Sequence, residues 1–144
     1  MKRSLLVEAD GIPVGGAVDG ANRNDMKLTE ATLASVPADA GRPEPTDAAP
    51  QGLCLDKGYD YDEVRALVAE FGFTAHIRAR GEEAKALKRN ARTKARRWVV
   101  ERTHSWMNKF RGILIRWNKK AENYIATLHM TFAFIIHRRM GLFG

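Results

Sequence analysis

"GLCLDKGYDYDEVRALVAEFGFTAHI", residues 52–77, changes its periodicity twice, and those changes decide the fold class. Gly52–Asp56 is a short apolar run ending in an acid, the form of a buried strand that delivers Asp56 at its C-terminal end. Val64, Leu67, Val68 and Phe71 then recur at helical spacing, and Gly72 stops them. Phe73, Ala75 and Ile77 next alternate with Thr74, His76 and Arg78, as a strand with two unlike faces requires. Strand, helix and strand in succession predict an α/β fold.

Upstream, "RSLLVEADGIPVGGAV" has two apolar stretches separated by Ala9-Asp10-Gly11, and Asp-Gly favours a tight turn. Antiparallel strands are expected near Arg3–Glu8 and Ile12–Val18. "NDMKLTEATLASV" follows with helical spacing and with Asn24 or Asp25 as the N-cap. "PADAGRPEPTDAAPQG" holds all but one of the five prolines, so residues 38–51 form a surface loop. Downstream, Glu82–Lys94 is polar and fits helix or loop. A long helix is expected through "RRWVVERTHSWMNKFRGI", and a last one over 120–140. The order β-β-α-loop-β-α-β-α-α implies a mixed sheet with flanking helices and a helical C-terminus.

At 144 residues, one domain with a single core is expected. A lone cysteine, Cys54, excludes an internal disulfide and a cysteine-based zinc site, and fits a reducing compartment. No apolar run reaches the roughly 20 residues needed to span a bilayer, and the start lacks the apolar stretch of a signal peptide. Net charge is +7, unevenly spread. Residues 78–120 hold 15 Lys or Arg against three acids, whereas the remainder holds 9 basic against 14 acidic residues. A basic segment on a mildly acidic body is an electrostatic footprint for a polyanion, though a solvated basic helix would read alike.

Glu101 is the acid inside that basic stretch. At about 100° per residue from Lys94, Arg97 falls near about 300°, Glu101 about 340°, Asn108 about 320° and His104 about 280°. These residues make one polar stripe. Val99, Trp106, Phe110 and Ile113 make the expected buried face. An Arg97–Glu101 ion pair on an exposed helix is the plain reading, worth about 0.3–0.5 kcal/mol. Asp56 supplies a second reading, because a strand-end carboxylate and a helix carboxylate are the parts of a two-metal phosphoryl-transfer site. Magnesium takes such oxygen ligands. Trp98 and Trp117, flanked by arginines, are candidates for base stacking, and Lys57 and Tyr59 beside Asp56 for contact with a DNA backbone.

"LCLDKGYDYDEVRALV", "HIRARGEEAK" and "ARRWVVERTHSWMNKFRGILIRWNKKAENYIATLH" closely resemble the C-terminal half of bacterial insertion-sequence transposases. These are DDE enzymes with an RNase H-like fold, in the group of elements numbered four and five. "GIPVGGAVDGANRNDMKL" resembles the region between that family's first and second catalytic acids, so the likeness covers nearly the whole chain. It implies that Asp56 matches the second catalytic aspartate and Glu101 the catalytic glutamate, both as ligands of a two-magnesium site. The family signature around that glutamate is Tyr-x2-Arg-x3-Glu-x6-Lys. Arg97 and Glu101 fit it; Lys94 stands at the Tyr position and Asn108 at the Lys position, with Lys109 adjacent. With His104, Lys57 and Arg102, these are the candidate DNA contacts.

The family's first aspartate sits on the central strand, ahead of the segment matching "KRSLLVEADGIPV". A partial RNase H-like sheet lacking that strand is therefore expected, with Asp10 and Asp19 poor substitutes. The resemblance also implies DNA as partner, both element ends and target, an oligomeric active form and a cytoplasmic, nucleoid-associated setting without membrane. An upstream transposase polypeptide is a further possible partner. The alternatives are a non-catalytic DNA-binding remnant and an RNase H-like nuclease unrelated to transposition.

Overall fold

A computed structural model describes residues 1–37, 46–77 and 97–141. The described elements run β1 (Lys2–Val7), β2 (Pro13–Asp19), α1 (Asp25–Ala34), β3 (Gly52–Leu55), α2 (Asp62–Glu70), β4 (Thr74–Ile77), α3 (Arg97–Met107), α4 (Arg111–Leu114) and α5 (Ala121–Met140). The α/β class holds. The strands pair as two separate two-stranded sheets, β1–β2 and β3–β4, where a single mixed sheet was expected. The chain divides into one unit of residues 1–37 with 98–144 and another of residues 38–97.

The discontinuous unit begins with the expected hairpin. β1 and β2 pair antiparallel from Lys2↔Asp19 to Val7↔Pro13, with a register shift between Leu6 and Val7. Gly11 closes the turn at φ +84°, a left-handed conformation that glycine adopts without steric cost, and its amide donates to the Glu8 carbonyl at 2.9 Å. Asn24 caps α1, its side chain accepting from the Met26 amide at 3.0 Å. Gly16 on β2 admits a helix at close range: a Cβ there would lie 2.8 Å from Cζ of Phe132 on α5. Its amide donates to Ser35 Oγ at 2.9 Å, tying the strand to the end of α1.

The core of this unit is Met107, Ile113, Tyr124, Leu128, Phe132 and Ile135, with Leu5, Val18, Trp106 and Phe110 packed against it. Tyr124 keeps its hydroxyl satisfied in that setting by donating to the Ile113 carbonyl at 3.2 Å. α5 spans the expected residues, and Gly141 ends it in the left-handed conformation.

The helix expected through residues 96–113 is two helices. α3 stops at Met107, and a turn follows in which the Lys109 and Phe110 amides donate to the Trp106 and Met107 carbonyls. Its buried side is also rotated from the expected one. Val99, Thr103 and Met107 are buried at helical spacing, whereas Trp106 is half-buried at the rim.

The continuous unit contains a parallel β-α-β element. β3 and β4 pair from Gly52↔Thr74 to Leu55↔Ile77, and α2 makes the crossover that parallel strands require. Val64 and Val68 are its buried stripe, at 1% and 0% exposure. β3 is less enclosed than its apolar sequence suggests: Leu53 is buried, but Gly52 and Cys54 are exposed. β4 alternates as expected, with Thr74 and His76 outward. Of the expected loop, residues 46–51 are described and contain a turn bridged between Thr46 and Ala49; residues 38–45 and the Glu82–Lys94 stretch lie outside the described residues.

Candidate functional site

Asp56 follows directly on β3, at the C-terminal end of a parallel strand, where loops of α/β folds gather their chemistry. Its carboxylate caps the short 3-10 turn Lys57–Tyr59, Oδ1 accepting from the Lys57 amide at 2.7 Å. Both Asp56 and Lys57 are exposed. The turn thereby fixes the rotamer of the acid while leaving it open to solvent.

Glu101 sits in the middle of α3 and is exposed, on the side away from Val99, Thr103 and Met107. What holds the helix in place is Thr103 on its buried side, with Arg102 beside it. The Thr103 hydroxyl, fully buried, donates to the Gly11 carbonyl at 2.6 Å. Arg102 donates from Nη2 to the Asp10 carbonyl at 2.5 Å. A Cβ at Gly11 would stand 3.0 Å from that guanidinium and 3.1 Å from the Thr103 hydroxyl, so glycine also makes room for the contact. The β1–β2 turn therefore grips the helix at the two residues that follow Glu101. Neither acid contributes to a ready-made cage: among the described residues no cluster of three or more His, Cys, Asp or Glu stands close enough to hold a metal ion. The donor chemistry still fits magnesium, which takes hard carboxylate oxygens and keeps several of its waters.

The other candidates separate into two kinds. Lys57 and Lys109 are exposed cations. Asn108 lies beyond the end of α3 rather than on its polar stripe, and its Oδ1 accepts from Arg3 Nη2 at 3.1 Å. Arg102 is half-buried, its guanidinium 4.5 Å from the ring centre of Trp98 and 4.9 Å from that of Trp106. Arg97 opens α3, but its side chain and all of Lys94 lie outside the described residues, as does the expected Arg97–Glu101 pair. Asp19 is engaged locally, accepting from the Gly20 amide at 2.7 Å and pairing with Arg23 at 3.5 Å.

His104 is half-buried on α3, and burial, with the Arg3 charge adding to it, holds its pKa below the ordinary 6.5. The folded state thus disfavours the imidazolium. As pH falls through the ordinary histidine range, the unfolded chain takes up this proton first, so stability present above about 6.5 is lost on acidification. Denaturant midpoints measured from pH 8 to 5 are expected to decline more steeply for the wild type than for His104→Gln. Parallel curves would refute this.

Sequence reading missed Arg3, which serves the Asn108 side chain, and the turn carbonyls that Thr103 and Arg102 serve. Period-two alternation in "KRSLLV" puts Arg3 on the face of Leu5, the core-facing side, which was the available signal. Nothing local marks a carbonyl as the partner of a side chain 92 positions away.

The family model described as "Transposase DDE domain" matches residues 53–138, a stretch that takes in both Asp56 and Glu101. The chain belongs to that family of DDE-domain transposases. It is 30% identical over 131 residues to the putative transposase for insertion sequence element IS402 of Burkholderia cepacia. That alignment covers 90% of this chain and 59% of the relative, so the chain spans somewhat over half the relative's length. No solved structure matches. Among the described residues no helix is long and apolar enough to cross a membrane.

Proposed function

We propose that this chain acts in transposition of an insertion sequence, in a transposase that hydrolyses a phosphodiester at the element end and directs the freed 3′-hydroxyl onto target DNA. The observation that carries the proposal is that the match to the transposase DDE domain spans Asp56, at the end of a strand, and Glu101, on a helix, both of them exposed. In this reading each carboxylate is a magnesium ligand. Magnesium, when bound, activates the attacking oxygen and stabilises the leaving oxygen. Lys57 and Lys109, with Lys94 and Arg97, neutralise backbone phosphates and hold DNA against acids that would otherwise repel it. Arg102 and Asn108, bonded within the fold to the Asp10 carbonyl and to Arg3, and the half-buried His104 are the further candidates for DNA contact. The active form is a homo-oligomer on nucleoid DNA.

Excision of an element carrying this coding sequence, scored in bacterial cells, tests the reading. Asp56→Asn is expected to lower excision on the order of 100-fold, as loss of a metal ligand should. Asparagine keeps an oxygen that can accept from the Lys57 amide, so the turn is expected to survive the change. Excision at the wild-type rate would remove Asp56 from the chemistry and leave the chain a DNA-binding role alone.

A further inference from the structure

Arg3 carries a charge that the fold does not neutralise. It stands half-buried on β1, and its Nη2 donates to Asn108 Oδ1 at 3.1 Å. Its Nη1 is sealed from solvent and has no acceptor. The ion pairs among the described residues are Lys2–Asp25, Arg23–Asp19 and Arg65–Asp60, so no carboxylate there answers it. The field is felt nearby: after burial, the Arg3 charge is the second cause that holds the His104 pKa down. A half-buried guanidinium whose one side-chain partner among the described residues is an uncharged amide is costly to keep, and an anion from outside would offset that cost.

The place of that anion follows from α3. Asn108 comes directly after the helix, its amide still bonded to the His104 carbonyl at 3.0 Å. It stands two turns beyond Glu101 on the same side, a rise of about 10 Å. Asn108 also occupies the position where the signature around Glu101 has lysine. The helix therefore has no cation at that point, and β1 delivers one from 105 positions away in the chain. Of the Arg3 nitrogens only Nη1 is both sealed and unbonded. Nε and the second hydrogen of Nη2 share the other edge of the fork, the pair of donors that meets phosphate oxygens bidentately.

We propose that Arg3 binds a backbone phosphate of DNA, supplying from β1 the cation that position 108 lacks, with Asn108 as the residue that positions it. The proposal rests on the transposase reading for the identity of the polyanion. Arg3 is then kept for binding and not for folding. An apolar side chain of similar length should serve the fold at least as well, because replacing a buried charge by an apolar group is often neutral or stabilising.

The test uses the whole chain without divalent metal, so that no cleavage step is needed. A labelled duplex oligonucleotide is titrated by fluorescence anisotropy at salt concentrations from about 50 to about 200 mM, and melting temperatures are measured alongside. Arg3→Met is expected to melt no lower than wild type. It should nevertheless reduce the slope of log affinity against log salt by about 1, the share of one phosphate contact. Adding Asn108→Lys to Arg3→Met should return that slope, because a cation is again within reach of the same phosphate. A slope unchanged in Arg3→Met would overturn the phosphate site while leaving DNA binding intact. A reduced slope that Asn108→Lys does not return would overturn the exchange of positions. Absence of DNA binding by the wild type would overturn the DNA reading and the site with it. Should Arg3→Met fail to fold, Arg3→Gln, which keeps a donor for Asn108, carries the same comparison.

Discussion

Glu101→Gln is expected to lower excision of the element by on the order of 100-fold or more, with no change in melting temperature. The substitution keeps the size of the side chain and removes only the charge. Glu101 is exposed and makes no part of the buried side formed by Val99, Thr103 and Met107, so a surface change there should stay within about 0.5 kcal/mol in stability. An ion pair with Arg97 would be worth about 0.3–0.5 kcal/mol, far too little to account for a hundredfold loss. The two readings of this acid therefore separate by magnitude: a salt-bridge partner can be neutralised almost without consequence, and a metal ligand cannot. Excision within threefold of wild type would return Glu101 to the plain role.

The second large effect is on stability. Leu128 is completely buried at the centre of α5, among Met107, Ile113, Tyr124, Phe132 and Ile135. Leu128→Ala is expected to cost about 2–5 kcal/mol through lost transfer free energy and the cavity left behind. Against a total stability of about 5–15 kcal/mol for a typical domain, that is a substantial share. For a chain of this length the melting temperature should fall by roughly 10 °C. Leu114→Ala supplies the contrast, because Leu114 is 58% exposed and its truncation should change stability by less than about 0.5 kcal/mol. Similar melting temperatures for Leu128→Ala and wild type would show that this cluster is not the core of its unit.

What the sequence disclosed and what it withheld follow from the range of the interactions involved. The hairpin was legible because Asp10-Gly11 is a local turn signal. α1 was legible because Asn24 is a cap, and α2 because Gly72 stops it; in each case the deciding contact spans a few residues. The break after Met107 was not legible. Asn108, Lys109 and Phe110 include no proline or glycine, and the helix ends there because Ile113 of α4 and the buried face of α5 cluster with Met107 while Arg3 engages Asn108. That is a tertiary cause overriding local propensity. The rotated buried face of α3 has the same origin. Thr103 reads as polar, yet it is buried because a carbonyl of the distant turn accepts its hydroxyl. Residue type and position singled out both acids without fixing their roles: Asp56 closes an apolar run, and the spacing of Glu101 fitted an ion pair with Arg97 as readily as a metal ligand until the family resemblance was weighed.

The grip of the β1–β2 turn on α3 also dictates an order of events during synthesis. Asp10 and Gly11 wait for Arg102 and Thr103, and Arg3 for Asn108, partners 92 and 105 positions later in the chain. Closing loops of that length costs entropy before any contact rewards it, and such closures are slow. The unit of residues 38–97 lies wholly inside the interval and depends on nearer neighbours, so it is free to fold on the ribosome while the first 37 residues are still without their helices. The hairpin is thus the earliest part of the molecule to be made and among the last to be secured, and a ribosome that stopped before residue 98 would release it with its clasp unfastened.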